Sequence, residues 1–297
     1  MRMNDLKLKL NKLYNRKKVN TFSKTVTPKE RTSLLDIKDK TGWISPNYSR
    51  SRTVQLNPVT MERNRCVAMF SDKPEIDSYK VLRQQILRRT EDLGGNAIMV
   101  TSTLPGEGKT LTAINLAFTF AREFEQTVLL VDCDLKRQNI HEVLGYESDK
   151  GLVNYLLNEC AITDLIVWPS IEKLTIISGG KTIDESSEVL GSPLMKELVT
   201  DMTNRYPERY VIFDVPPVLA GADAMIFANL MDHIVVVVEA DKTSMPDLKM
   251  ALDMLPKEKV RGLILNQQRT PATPISNYPY YSKQKKSKSW GLLRANK

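Results

Sequence analysis

The sequence predicts an α/β fold: a doubly wound, mostly parallel sheet with helices on both faces. Three observations carry this. Strand and helix candidates alternate from about residue 77 to residue 266, the pattern of a parallel sheet wrapped by its own connections. The strand candidates are near-continuous apolar runs, as strands buried on both faces must be. Three of them also end in polar chemistry. The run 97–103 (AIMVTST) leads into LPGEGKT, 127–133 (TVLLVDC) continues with Asp134, and 210–217 (YVIFDVPP) contains Asp214.

Taken in order, 77–92 reads as a helix, with Tyr79, Leu82, Ile86 and Leu87 in an apolar stripe and Gly94 and Gly95 ending it. Strand 97–103 precedes a helix over 109–125, and strand 127–132 precedes short helices over about 139–158. Strand 174–178 follows, then a loop of sequence GGKTIDESSEVLGS and a helix over 193–205. The remaining pairs are strand 210–214 with a helix at about 222–230 and strand 233–239 with a helix at about 246–255. Strand 260–266 closes the body. Three regions result: a basic, largely extended N-terminal region (1–70), the α/β domain (71–268) and a flexible basic tail (269–297). Within the first, 5–16 could form a short amphipathic helix through Leu6, Leu10 and Leu13, and 21–64 reads as an extended linker. No internal repeat is present.

The composition supports a large core, since 41% of the 297 residues are apolar. No apolar run approaches the ~20 residues that span a bilayer, and the N-terminus is too polar for a signal peptide. Cys66, Cys133 and Cys160 show no metal-ligand spacing and suit reduced thiols in a cytosol. His141 and His233 have no ligand or nucleophile constellation and read as structural. The net charge of +8 is uneven. Residues 1–66 hold 16 basic and 5 acidic residues, and residues 283–297 hold 6 basic residues and no acid, so the body between them is acidic. Basic ends are either solvated tails or a means of attraction to an anionic membrane surface or acidic partner. They contain few aromatics for base stacking, so nucleic acid is not the expected partner.

The glycine loop is the most informative motif. Gly106 and Gly108 let the backbone curl so that its N–H groups face phosphate oxygens, and a helix starting near Lys109 adds its positive end. Lys109 is placed to reach β- and γ-phosphates and the Thr110 hydroxyl to bind Mg²⁺, the arrangement of a P-loop NTPase. The strict pattern has a glycine where this chain has Thr103, so the surrounding strand and helix carry the assignment. Asp132, Asp134 and Asp214 at neighbouring strand ends complete a phosphoryl-transfer set, because Mg²⁺ takes only one or two carboxylates directly and leaves one to orient a hydroxyl.

Over about residues 77–266 the chain resembles the bacterial tyrosine autokinases of capsule and exopolysaccharide assembly. The likeness rests on VTSTLPGEGKTLTAINLA, TVLLVDCDLKR, RYPERYVIFDVPP and HIVVVVEADKT, and is nearest to the exosortase-associated branch. It implies ATP and Mg²⁺ as cofactors. Gly106, Gly108, Lys109 and Thr110 take the Walker A positions, with Glu107 and Leu111 in the same nucleotide-binding stretch. Asp132 and Asp134 take the Walker A′ positions and Asp214 that of Walker B. Asp132 would orient the hydroxyl, Lys109 and Asp134 would share in catalysis, and Thr110, Asp134 and Asp214 would hold the metal. Asn266 would read adenine. Two departures stand out. The A′ motif continues Lys136-Arg137-Gln138 rather than Arg-Arg-Pro, and the family's oligomer-forming helix motif is represented by Asp77, Lys80 and Arg83.

The resemblance further implies a homo-oligomer that autophosphorylates Tyr278, Tyr280 and Tyr281 in the tail, activated by a separate membrane-embedded chain-length determinant at the inner face of the plasma membrane. Two other readings stay open. One is a positioning ATPase of the partition and division-site kind, against which Leu104 counts because that class has a lysine there. The other is a nucleotide-binding regulator without kinase activity.

Overall fold

The computed structural model describes residues 51–70, 75–123 and 125–268. The expected helix at 5–16, the first part of the linker and the whole tyrosine-bearing tail lie outside these residues. Eight strands form one sheet: β1 (Arg52–Thr53), β2 (Ala97–Ser102), β3 (Thr127–Asp132), β4 (Val167–Trp168), β5 (Leu174–Ile177), β6 (Arg209–Asp214), β7 (His233–Glu239) and β8 (Val260–Asn266). Their spatial order is β1-β4-β5-β3-β6-β2-β7-β8, and every pairing is parallel except β4 with β5.

The strand period of two divides each central strand between two cores. Ala97 and Met99 of β2, with Leu129 and Val131 of β3, face one core, while Ile98, Val100, Val128 and Leu130 face the other. On the first face lie α7 (Pro193–Asn204), α8 (Asp223–Ala228) and α9 (Met245–Asp253); on the second lie α2 (Ile76–Thr90) and α3 (Lys109–Phe120). Local chemistry sets the helix starts. Ser192 and Ser244 cap α7 and α9, each accepting a backbone N–H, with a proline in the first turn.

The structure corrects the sequence reading in four places. Within the expected linker, Pro58–Arg63 forms a helix, α1, whose Asn57 cap accepts from Val59 N at 3.0 Å and Thr60 N at 3.1 Å. That segment docks on the body: Met61, Cys66 and Ala68 are buried among core residues of the α3 face. The GGKTIDESSEVLGS stretch contains a short helix, α6 (Ser186–Leu190). The two-residue strands β1 and β4 were too short to show a period. Finally, α3 ends at Phe120 rather than at 125. Arg83 donates to the Thr119 carbonyl at 2.8 Å, and the buried Lys173 donates to that of Glu123. Arg83 thereby occupies a carbonyl that a longer helix would have used, and Lys173 holds the turn that follows. The short helices expected over 139–158 are α4 (Ile140–Leu144) and α5 (Leu152–Leu156).

Asn115, fully buried on α3, joins the N-terminal segment to the phosphate-loop helix. It accepts from Ala68 N at 2.9 Å and donates to Arg65 O at 3.2 Å and Leu111 O at 3.0 Å. Asn115→Ala strands the Ala68 N–H in the core and should destabilise the protein by about 1–3 kcal/mol in urea unfolding.

Candidate functional site

Inserting β6 between β3 and β2 brings the three polar strand ends together. Asp132 and Asp214 are register partners, as are Val100 and Asp214. In open α/β sheets ligands bind outside these carboxyl ends. The glycine loop leaves β2 here and passes into α3. Gly106 and Gly108 have φ of 88° and 94°, the left-handed region that only glycine enters readily. Thr103 is not in that region. Its N–H bonds Val237 O at 3.4 Å, so it continues the strand ladder and needs no glycine.

Lys109 sits at the centre, 8% exposed. Its Nζ lies 2.8 Å from Asp134 Oδ2 and 3.2 Å from Asp214 Oδ1. The Thr110 hydroxyl donates to Asp214 Oδ2 at 2.6 Å. Asp132 stands behind this cluster and is held by backbone: Oδ1 accepts from Asp134 N at 3.2 Å, and Oδ2 accepts from Asn139 N and Ile140 N, both at 3.1 Å. Leu111 lies in the first turn of α3. Glu107 is 2% exposed and turned into the loop, its Oε2 accepting from Leu104 N at 2.8 Å and its Oε1 from the Thr243 hydroxyl. Asn266 abuts the loop at the end of β8. The loop residues, Lys109, Thr110, Asp134, Asp214 and Asn266 thus lie together, whereas the Leu111 side chain packs against the core of the α3 face. Thr243 and Gln267, which also touch the loop, were missed. Gln267 could have been suspected as Asn266's neighbour, whereas nothing in the sequence marked Thr243.

The oligomerisation positions divide. Asp77 and Lys80 are exposed on α2 and pair with each other at 2.9 Å. Arg83 instead turns inward to Glu123 and the end of α3. In the A′ turn Gln138 replaces the missing proline with a bond, its Nε2 donating to Lys181 O at 2.7 Å. Cys133 is buried, and burial together with the surrounding aspartates holds its thiol well above the usual range, so it is a packing residue here. His233 is buried and accepts from Arg261 Nε at 2.9 Å, a structural role.

Burial alone would lower the Lys109 pKa, but Asp214 and Asp134 outweigh it and keep the ammonium charged. Burial raises the pKa of Asp214. For Asp132, burial and then the charge of Asp214 push the carboxyl up to about 8, against the pull of Lys109 and the Ile140 N–H. Among the described residues no three His, Cys, Asp or Glu side chains form a ready metal cage. The donor set nevertheless fits Mg²⁺: hard oxygens from Thr110, Asp214 and Asp134 lie around Lys109, and Mg²⁺ completes its shell with phosphate oxygens and water.

The Asp132 shift has a pH consequence. Its folded pKa of about 8 exceeds the unfolded value of 3.8. The folded state therefore binds more protons across that window, and stability falls as pH rises through it. Asp132→Asn removes this slope. In urea unfolding of ligand-free protein, its stability relative to wild type should rise from pH 5 to pH 8.

A family model described as an AAA domain matches residues 95–262, more than half of the chain. Tyrosine-protein kinase YwqD of Bacillus subtilis is 34% identical over 224 residues, covering 74% of this chain and 92% of that protein. Tyrosine-protein kinase ptk of Acinetobacter johnsonii is 31% identical over 205 residues, covering 68% of this chain but 28% of that longer protein. The solved structure of the VpsO kinase domain matches with a TM-score of 0.59 at 29% identity, covering 67% of this chain and 98% of that one. With a relative matched over nearly its whole length and a kinase domain sharing the fold, the chain belongs to the bacterial tyrosine-protein kinase family and is built on an AAA domain.

Proposed function

We propose that the chain is an ATP-dependent protein-tyrosine autokinase that regulates exopolysaccharide or capsule polymerisation or export. The observation that carries this reading is Lys109 held between Asp134 and Asp214 at the mouth of a glycine cradle. Phosphoryl transfer in P-loop proteins brings a backbone cradle, a lysine and metal-binding carboxylates together in this way. Kinase names on relatives of both lengths support it.

Thr110, Asp214 and Asp134 would hold Mg²⁺, which would supply charge neutralisation for the phosphates when bound. The chain's own residues do the rest. Gly106 and Gly108 shape the N–H cradle. Lys109 exchanges carboxylate partners for phosphate oxygens, which it can do because its ammonium stays charged. Asp132, fixed by three N–H donors, orients the acceptor hydroxyl. The acceptors are Tyr278, Tyr280 and Tyr281, reached in a neighbouring copy through self-association at Asp77 and Lys80. Arg83 supports that surface from within, since its own guanidinium is engaged on α3.

Among the described residues no helix is long and apolar enough to cross a membrane. Relatives occur in a short form matched over 92% of its length and a long form matched over 28%. We place this chain at the inner face of the plasma membrane, docked on a membrane-embedded chain-length determinant, with its basic ends favouring anionic lipid.

Mass spectrometry of the tail peptide from source cells tests the reading. Phosphate on Tyr278, Tyr280 or Tyr281 should be present in the normal protein and absent in Lys109→Met. A well-covered peptide without phosphotyrosine in either strain, while the polysaccharide is being made, would contradict it.

A further inference from the structure

A cradle that turns its N–H groups inward must turn carbonyls outward, and those carbonyls need donors of their own. Two adjacent side chains meet that need here. Asn266 Nδ2 donates to Glu107 O at 2.8 Å, and Gln267 Nε2 donates to Gly106 O at 2.8 Å. In a regular strand, neighbouring side chains point to opposite sides and could not both reach one loop. Gln267 has φ of 57°, a left-handed value uncommon for a residue with a side chain. This kink at the end of β8 brings both amides to the same target. A Cβ added at Gly108 would lie 2.2 Å from Asn266 Nδ2, so the glycine leaves space for the amide as well as for the turn. On the other flank, Thr243 bonds the Glu107 side chain and itself accepts from Glu239 N at 2.9 Å.

We propose that Asn266 and Gln267 are a two-pronged clamp that preorganises the phosphate cradle, and that Asn266 is a positioning residue for phosphate. The carbonyl of Glu107 accepts only from a donor, which fixes the NH₂ end of the Asn266 amide on the loop. An amide spent in this way acts on whatever the cradle binds, with or without a base. The inference rests on the nucleotide-binding reading above and adds to it the source of the loop's shape.

The test is isothermal titration of the full chain with Mg-ATP, Mg-GTP and Mg-tripolyphosphate. It compares wild type with Asn266→Ala, Asn266→Asp and Gln267→Ala. Gln267 is exposed, so its truncation leaves the core intact, and urea midpoints report folding in each variant. The clamp predicts that each alanine variant weakens all three ligands by a similar factor, roughly three- to tenfold for one lost hydrogen bond. Asn266→Asp should lose more, because it sets a carboxylate against a carbonyl. Loss confined to ATP, with tripolyphosphate unchanged, would overturn the clamp in favour of base reading. Unchanged affinity for all three in folded variants would overturn it outright. Wild type that binds none of the three would overturn the nucleotide reading itself, and the clamp with it.

Discussion

The site depends on one buried ammonium surrounded by buried carboxylates. Lys109 touches Asp134 and Asp214 directly, and Asp132 lies just behind. Taking such charges out of water is costly unless each finds a partner, and losing one partner leaves the others exposed to that cost. The topology serves this pairing. Only with β6 between β3 and β2 do Asp132 and Asp214 stand side by side beneath the start of α3. Three carboxylates against one ammonium still leave a surplus of negative charge, which is relieved in part by the upward shift at Asp132 and is suited to a divalent cation.

The loop above this cluster is held from several directions. Glu107 reaches Thr243 beyond β7, Asn266 and Gln267 reach back from β8, and Ser102 Oγ donates to Leu104 O at 2.9 Å from β2. At the far end of α3, Arg83 grips Thr119 and Glu123. A helix fixed at both ends holds Lys109 and Thr110 in place without relying on the loop alone, and so the elements of the α2 and β8 flanks bear on the phosphate site.

Much of this was legible in the residues. The strand ends carried Asp132, Asp134 and Asp214 because apolar runs long enough to be strands stop at them, and GEGKT marked the loop through glycines that the observed φ values require. What escaped was set by distant contacts. The helix at Pro58–Arg63 bore a local sign, an Asn-Pro pair of the cap and first-turn kind, but the segment that follows it is tied to the body by Asn115, 47 residues beyond Ala68. Arg83 reads as an oligomer-helix position in sequence, because its partners lie at the end of α3 and just beyond it, far along the chain. Gln138 stands where the resembled motif has a proline, and its side chain supplies a tie to Lys181 that no local pattern encodes.

The central claim is that Lys109 supplies the charge that a bound cation could share. Urea unfolding of Lys109→Met and wild type at pH 8, with and without millimolar Mg²⁺ and no nucleotide, tests it most directly. The variant should lose about 3 kcal/mol or more without the cation, and Mg²⁺ should return a substantial part of the loss while changing wild type less. A variant as stable as wild type without Mg²⁺, or one whose deficit Mg²⁺ leaves untouched, would contradict it.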